Sequence, residues 1–430
     1  MIYYDNDGDM DVLVVRGAWL PSEMAMRPSL LRNNGDRTFS DVTVEAGVAE
    51  PVNSIAAQWA DYDNDGWLDV FICCERQPNR LYHNLRNGTF EEVSLVAGVS
   101  GSSPFGCKGA AWIDFDNDGF QDLFLNHLTP EGAALYRNTR NGRFKRERTL
   151  GINGPQIGFA CWSWDYDNDG WLDIFATSYD RTLADIVLGL LGQPHRSNTN
   201  RLFRNLQGKG FEDVTVAAGL TGCFATMGSN FGDFDNDGFL DMYLGTGAPS
   251  LSTLVPNRMF RNLDGKRFVE ITSSSGTGNL QKGHGVGCGD WDGDGNVDIF
   301  IEMGGAVEGD KYHNILFQNP GHDNSWCTIK LVGEKSNRAA IGAKIKVVTG
   351  GAQPQTIYRT VSSGSSFGAN PLQQTIGLGK AERIEELEIQ WPTSQTTQKF
   401  FDVPLGRFIE ITELAEQYRV VEREPIKVPE

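Results

Sequence analysis

Twenty aspartates fall into five copies of one nine-residue pattern, D-x-D-x-D-G-x-x-D. They are Asp61, Asp63, Asp65 and Asp69; Asp114, Asp116, Asp118 and Asp122; Asp165, Asp167, Asp169 and Asp173; Asp233, Asp235, Asp237 and Asp241; and Asp290, Asp292, Asp294 and Asp298. A sixth, broken copy opens the chain with Asp5, Asp7 and Asp11, and Tyr3 stands where its first aspartate would be. Such spacing aims carboxylate oxygens at one point. Calcium, a hard cation, takes six to eight oxygens at about 2.3–2.6 Å. Positions 1, 3, 5 and 9 of the pattern offer side chains, and position 7 offers a backbone carbonyl. Glycine at position 6 (Gly66, Gly119, Gly170, Gly238, Gly295) permits the sharp turn that such a loop needs.

A single aspartate-rich turn could be solvated and bind nothing. Five turns that each crowd four carboxylates into nine residues are different, because like charges that close destabilise the fold unless a cation neutralises them. Magnesium demands strict octahedral geometry and keeps its waters. Zinc and copper prefer His or Cys ligands, which these loops lack. The expectation is therefore calcium, about five ions, with the first loop a weak sixth site at best. Binding to the folded form alone would raise stability by mass action.

The steps between copies are 58, 53, 51, 68 and 57 residues. Each period carries four short strand signals. A small-residue and aromatic run precedes the loop, as in Gly109-Ala110-Ala111-Trp112-Ile113, and an apolar run follows it, as in Leu68-Asp69-Val70-Phe71-Ile72. A third run reads Arg80-Leu81-Tyr82-His83-Asn84 and is echoed at Arg201–Asn205 and Arg258–Asn262. A glycine turn (Asn34-Gly35, Asn87-Gly88, Asn141-Gly142, Asp264-Gly265) leads to the fourth, and such pairs suit a type I′ hairpin. Four antiparallel strands per period, repeated radially, describe an all-β protein built as a β-propeller with six visible repeats and six or seven blades.

These loops and strands resemble the FG-GAP/VCBS repeats of integrin-α-like propellers, and the layout is closest to the cartilage acidic protein family. From about Asn324 the acidic loops stop and alternating runs such as Thr328–Val332 and Lys344–Val348 signal half-buried strands. The segments Ser336–Ala343, Gly364-Ser365-Ser366-Phe367-Gly368, Ile376-Gly377-Leu378-Gly379 and Ile389-Gln390-Trp391-Pro392 resemble the ASPIC/UnbV domain, which follows the propeller in that family. The reading gives a propeller over 1–322, a small C-terminal β-sandwich-like domain over 323–415 and a tail over 416–430. Met1 falls inside the first repeat, whose leading strand is missing, and the last repeat lacks a fourth strand signal. The chain reads as N-terminally truncated, with its ring incomplete at that junction.

Composition narrows the function. Fifty-six acidic against 38 basic residues give a net charge of −18, so the basic footprint of a nucleic-acid binder is absent. No apolar run is long enough to span a bilayer. Fifty glycines in 430 residues, against a usual ~7%, fit many tight turns. Seven cysteines (Cys73, Cys74, Cys107, Cys161, Cys223, Cys288, Cys327) form neither a disulfide framework nor a zinc site by their spacing.

Catalytic signals are weak. Gly364–Gly368 matches G-x-S-x-G, but the nucleophile elbow needs a strand–turn–helix setting in a parallel sheet. The histidines (His83, His127, His195, His284, His313, His322) are scattered. The 68-residue step holds Leu183, Ile186, Val187, Leu190 and Leu191 at helical spacing, which predicts an amphipathic helix packed on a blade. The expectation is a secreted, extracellular or periplasmic binding or adhesion module, more fitly non-enzymatic, for a protein or glycan partner. The localisation is what the resemblance implies. The alternative is a polysaccharide lyase or hydrolase that uses the propeller face.

Overall fold

The computed structural model describes residues 2–18, 20–101, 106–129, 132–247, 255–304, 312–423 and 426. Its first unit is a propeller of six antiparallel blades. Blade 2 shows the plan: Ser54–Ala60, Asp69–Cys74, Arg80–Asn84 and Phe90–Glu92 pair in that order. Blades 3, 4 and 5 repeat it from Cys107, Gly158 and Thr226. Blade 1 has three strands, Val12–Val14, Ser29–Asn33 and Phe39–Asp41. Blade 6 has Gly283–Gly289, Asp298–Met303 and Ile315–Phe317 of its own. The fourth member of its sheet, Gly368–Ala369, comes from the C-terminal unit and runs parallel to Gly283–Gly289.

In blades 2 to 6 the aspartate loop links the inner strand to the second strand. Inner strands such as Cys107–Ile113 and Thr226–Gly232 are buried at every residue. They are rich in Ala, Gly, Cys and aromatics because neighbouring blades press together there. A Cβ on Gly228 would lie 2.4 Å from the carbonyl oxygen of His284 in the next blade.

Not all the glycine turns are type I′. Asp264 and Gly265 do both take positive φ, but at Asn87-Gly88 and Asn141-Gly142 only the glycine does, joined by Arg86 and Arg140 at φ +61°. Here the preceding Asn84 and Asn138 each accept the Arg N–H through Oδ1, at 3.0 and 2.8 Å, which widens the loop.

The inserted segment forms the helix Leu183–Leu190, capped by Thr182 accepting from Asp185 N–H at 3.0 Å. Of its five spaced apolar residues only Ile186 is buried, against Cys223 and Val255. Leu183, Val187, Leu190 and Leu191 face solvent. The helix buries Ile186 and the Asp185 carboxylate, which accepts from Arg196 N–H and Ser197 Oγ. No helix among the described residues is long and apolar enough to cross a membrane.

The C-terminal unit is two four-stranded sheets around one core. One orders Gln374–Gly379, Ser325–Val332, Phe408–Thr412 and Arg419–Val421; the other orders Thr356–Thr360, Lys344–Gly350, Arg383–Gln390 and Thr397–Val403. Alternating Ile329, Leu331, Ile345, Val347, Leu387, Ile389 and Ile409 fill the space between them. This core runs on into Ile2, Tyr4, Leu30, Trp59 and Tyr82 of the first two blades, so the unit is packed onto the propeller as a cap.

Candidate metal centres

The nine-residue loops share one hydrogen-bonding scheme. The carboxylate at position 1 accepts two backbone N–H groups. Asp61 takes Asp65 N–H on Oδ1 and Gly66 N–H on Oδ2, both at 2.9 Å. Asp114, Asp165, Asp233 and Asp290 repeat both bonds at 2.8–3.2 Å. Position 5 accepts the N–H of position 7, as Asp65 does from Trp67 at 2.8 Å. Position 9 is held from both sides: Asp69 accepts Tyr62 N–H at 3.3 Å and Asn84 N–H at 2.8 Å. The turn requires positive φ at position 6, where Gly66, Gly119, Gly170, Gly238 and Gly295 lie between +85° and +97°.

Position 3 is the exception in the second, third and fourth loops, whereas Asp235 and Asp292 Oδ1 accept the N–H of Asp237 and Asp294 at 3.2 and 3.3 Å. Asp63 Oδ1, Asp116 Oδ1 and Asp167 Oδ1 are buried atoms without a hydrogen-bond partner. A buried acceptor left unmade costs about 1–3 kcal/mol, more when charged. Around them, carboxylate oxygens of Asp61, Asp63 and Asp65 lie within 4.8 Å of one another. So do those of Asp114, Asp116 and Asp118, of Asp165, Asp167 and Asp173, and of Asp233, Asp235 and Asp241. All-oxygen donor sets of this kind fit a hard cation.

The electrostatics agree. Burial pushes Asp61, Asp165 and Asp233 up to about 8, with the Asp69 carboxylate the next cause at Asp61. Burial likewise raises Asp122 to about 8, Asp69 to about 7, and Asp173 and Asp241 well above the carboxylate range. Burial thus disfavours the charged form of each of these carboxylates unless a cation lies beside it.

The remaining aspartates hold the same places. Asp118, Asp169, Asp237 and Asp294 each accept the N–H two residues on, at 2.8–2.9 Å. Asp292 meets Gln318 Nε2 at 2.7 Å, and Asp298 accepts Trp291 and Asn319 N–H. In the first loop Asp11 is buried and bonded like its counterparts, to Tyr4 and Asn33 N–H, but Asp7 is exposed.

The structure also supplies groups that the motif did not announce. In the third, fifth and sixth loops the fourth residue of the third-strand run leans a cation or donor onto position 3, whereas Arg204 of the fourth pairs with Glu212 instead. Arg137 pairs with Asp116, Arg261 Nη2 lies 2.5 Å from Asp235, and Gln318 fills the place at Asp292. In the second loop the residue is His83, whose Nδ1 is 3.0 Å from Asp69 and 3.6 Å from Asp63. The hydrogen bond to Asp69 raises its pKa to about 9. The recurrent basic residue in that run was visible in the sequence; its aim was not.

Two asparagines per repeat join the loops. Asn at position 4 donates Nδ2 to the glycine carbonyl of the following loop: Asn6 to Gly66, Asn64 to Gly119, Asn117 to Gly170, Asn168 to Gly238 and Asn236 to Gly295, at 2.8–3.2 Å. Position 4 of the sixth loop is Gly293, so no such bond leaves it. The asparagine that ends the third strand reaches back to the preceding loop. Asn84, Asn138, Asn205, Asn262 and Asn319 donate to the carbonyls of Tyr4, Tyr62, Phe115, Tyr166 and Phe234 at 2.7–2.8 Å.

The cap lies over these loops. Thr393 Oγ1 donates to Asp61 at 2.8 Å, Lys344 Nζ sits 2.7 Å from Asp114, and Arg359 sits 3.6 Å from Asp233. Arg338 N–H donates to Asn6, Tyr358 N–H to Asn168, and Trp326 covers Gly295. From the cap, Ser363–Asn370 descends into the central channel. Phe367 packs on Phe159 at 4.7 Å between centroids, and Gly368 lies where a Cβ would be 2.6 Å from the Ser229 and Val286 carbonyl oxygens. Ser366 Oγ accepts Cys161 N–H at 3.0 Å and donates to Cys161 O at 3.3 Å. That hydroxyl anchors the loop to the channel wall, in a strand-lined setting unlike a nucleophile elbow. Between cap and inner strands remains a cavity of about 80 Å³ lined by Trp59, Trp112, Trp164 and Arg359, room for a few waters.

Comparison with known proteins places this architecture. The FG-GAP-like repeat pattern matches residues 4–72, 61–125, 114–176 and 182–244, and the ASPIC and UnbV pattern matches 333–417. Cartilage acidic protein 1 of Mus musculus is 27% identical over 239 residues, 54% of this chain and 35% of the relative. The Homo sapiens protein is 28% identical over 239 residues, 54% and 34% of the two chains. The chain thus spans about a third of the length of these relatives. Among solved structures, AofleA from Arthrobotrys oligospora aligns over 68% of this chain and 76% of its own, at 10% identity and TM-score 0.36. The exotype rhamnogalacturonan lyase YesX aligns over 95% and 71%, at 11% identity and TM-score 0.38. With its repeats matched over more than half its length and the second pattern behind them, the chain belongs to the FG-GAP-repeat, ASPIC/UnbV-domain family in which the cartilage acidic proteins fall.

Proposed function

We propose that this chain is a calcium-stabilised propeller that works outside the cytoplasm as a non-enzymatic binding module for a protein or glycan. The observation that carries the metal is the position-3 carboxylate, whose buried Oδ1 in Asp63, Asp116 and Asp167 lacks any donor while the oxygens around it are held by backbone N–H groups. Positions 1, 3, 5 and 9 of the second to sixth loops would hold one ion each, with the position-7 carbonyls of Trp67, Phe120, Trp171, Phe239 and Asn296. The first loop, with Tyr3 leading and Asp7 exposed, would be weak. Bound calcium would supply charge compensation, not chemistry.

The chain's own residues explain why that compensation is structural. Position 9 takes the N–H of the same asparagine whose side chain clasps the preceding loop, so ordering one carboxylate orders a contact between blades. The plug at Ser363–Asn370 and the cap over the loop face support a binding role at the rim or the opposite mouth over catalysis in the channel.

The test is to immobilise the protein in calcium and screen it against glycans and polysaccharides. Retention without turnover is expected. New reducing ends or unsaturated sugars would overturn the non-enzymatic reading.

A further inference from the structure

We propose that Cys73 and Cys107 are joined by a disulfide that staples the second blade to the third. Their Sγ atoms lie 2.8 Å apart, inside the contact distance of two thiols and under 1 Å from the ~2.05 Å of an S–S bond. Cys73 is in the second strand of blade 2, opposite Ala56; Cys107 opens the inner strand of blade 3, opposite His127. The two are 0% and 2% exposed and share one apolar cluster with Ile55, Phe71 and Trp112.

The other thiols have different neighbours. Cys161 Sγ meets Ser366 Oγ at 3.9 Å, Cys74 meets the Ile72 carbonyl at 3.7 Å, and Cys223 meets the Asp180 carbonyl at 3.5 Å. Among the described residues, Cys73 and Cys107 are the sulfur pair in direct contact. An odd cysteine count with no motif spacing conceals the pair in the sequence; the propeller brings it together across a blade boundary.

Position gives the bond a role. The junction of blades 2 and 3 is clasped at its loop end by Asn138 on Tyr62 and by Asn64 on Gly119. Strand Asp69–Cys74 runs away from the loop, and Cys107–Ile113 runs towards it. Both cysteines therefore sit at the far end of the same junction, where a staple complements the clasps.

Forming the bond removes two protons and two electrons from the thiols, and a small disulfide such as oxidised glutathione takes the electrons. One cysteine thiolate attacks the reagent and releases one glutathione; the second cysteine attacks the mixed disulfide, closes the Sγ–Sγ bond and releases the other. Burial pushes the Cys73 thiol well up and shields it, so the bond forms during folding, as blades 2 and 3 meet and before the pair is sealed from solvent. It would persist in an oxidising compartment, which accords with an extracellular protein.

The test needs no knowledge of the compartment and is separate from the binding reading. The full chain is unfolded in denaturant with reductant and refolded with calcium in a glutathione redox buffer. It is then alkylated under denaturing conditions without reduction. Five of the seven thiols should be labelled, and mass spectrometry should find a peptide pair linked through Cys73 and Cys107. The oxidised protein should melt several degrees above its reduced form, a difference that vanishes in Cys73→Ala. Seven labelled thiols in refolded protein, a bridge between other cysteines, or equal melting of oxidised and reduced wild type would overturn the proposal.

Discussion

Lys344 of the cap places its Nζ 2.7 Å from Asp114 Oδ2 and 2.7 Å from Asn117 Oδ1, the first and fourth residues of the third aspartate loop. One ammonium thus reads both a buried carboxylate and the asparagine that clasps the next loop. The cap is fastened to the loops themselves, not merely laid on the propeller.

The Lys344→Met variant should therefore lose more stability without calcium than with it. In chelator Asp114 is left buried without its cation, a loss of about 1–2 kcal/mol. In calcium the ion compensates the carboxylate and the loss should shrink. Urea unfolding in EGTA and in millimolar calcium measures both; equal losses would show that Lys344 does not share the loop's charge.

Replacing Asn138 tests the clasp between blades. Its Nδ2 donates to Tyr62 O at 2.7 Å and to Gln121 O at 3.1 Å, and all of it is buried. Asn138→Ala should cost about 2–3 kcal/mol, because two buried carbonyls lose their donor. A loss near zero in denaturant unfolding would mean that the blades hold together without it.

The plug can be separated from catalysis. Ser366→Ala removes the two contacts to Cys161 and should cost about 1 kcal/mol. Phe367→Ala should cost more, about 1–3 kcal/mol, since its ring packs against Phe159. Any polysaccharide turnover that Ser366→Ala abolishes while the fold persists would contradict the anchoring role.

Acid should loosen the cap through Glu413. Burial pushes its pKa up, but hydrogen bonds outweigh this and hold it below the ordinary value of 4.5. The backbone N–H groups of Glu334, Lys335 and Ser336 reach Oε2 at 2.7–2.8 Å. A carboxylate depressed on folding gives stability that is present above its unfolded pKa and lost as pH falls through the folded one. Glu413→Gln should therefore lose stability near neutral pH and show a flatter acid limb below about 4.5, measured by thermal melts across pH. Parallel acid limbs in wild type and variant would contradict this.

Much of this was legible in the sequence where the signal is local. Asp61, Asp63, Asp65, Gly66 and Asp69 carry their own turn and donor set within nine residues, and the flanking runs carry the strands. The clasp was half legible: Asn84, Asn205 and Asn262 recur at the end of the third run, but nothing local says that they bond to the preceding loop. The cap contacts were hidden. Lys344 and Asp114 are 230 residues apart, and alternation in Lys344–Gly350 specifies a half-buried strand without saying what it docks on. The same holds for Ser366, which a short motif aligns with an elbow and the channel turns into an anchor.

The account rests on calcium in the second to sixth loops, and one experiment meets it directly: metal analysis of the purified chain combined with melting in excess EGTA. The protein should carry about five calcium ions and melt at a lower temperature once stripped, with recovery in millimolar calcium, in the ~10⁻⁴–10⁻³ M range of extracellular modules, and none in equal magnesium. Asp116→Ala or Asp167→Ala should each lose one ion, and Asp7→Ala should lose little. No bound calcium together with an unchanged melting curve in EGTA would contradict the account.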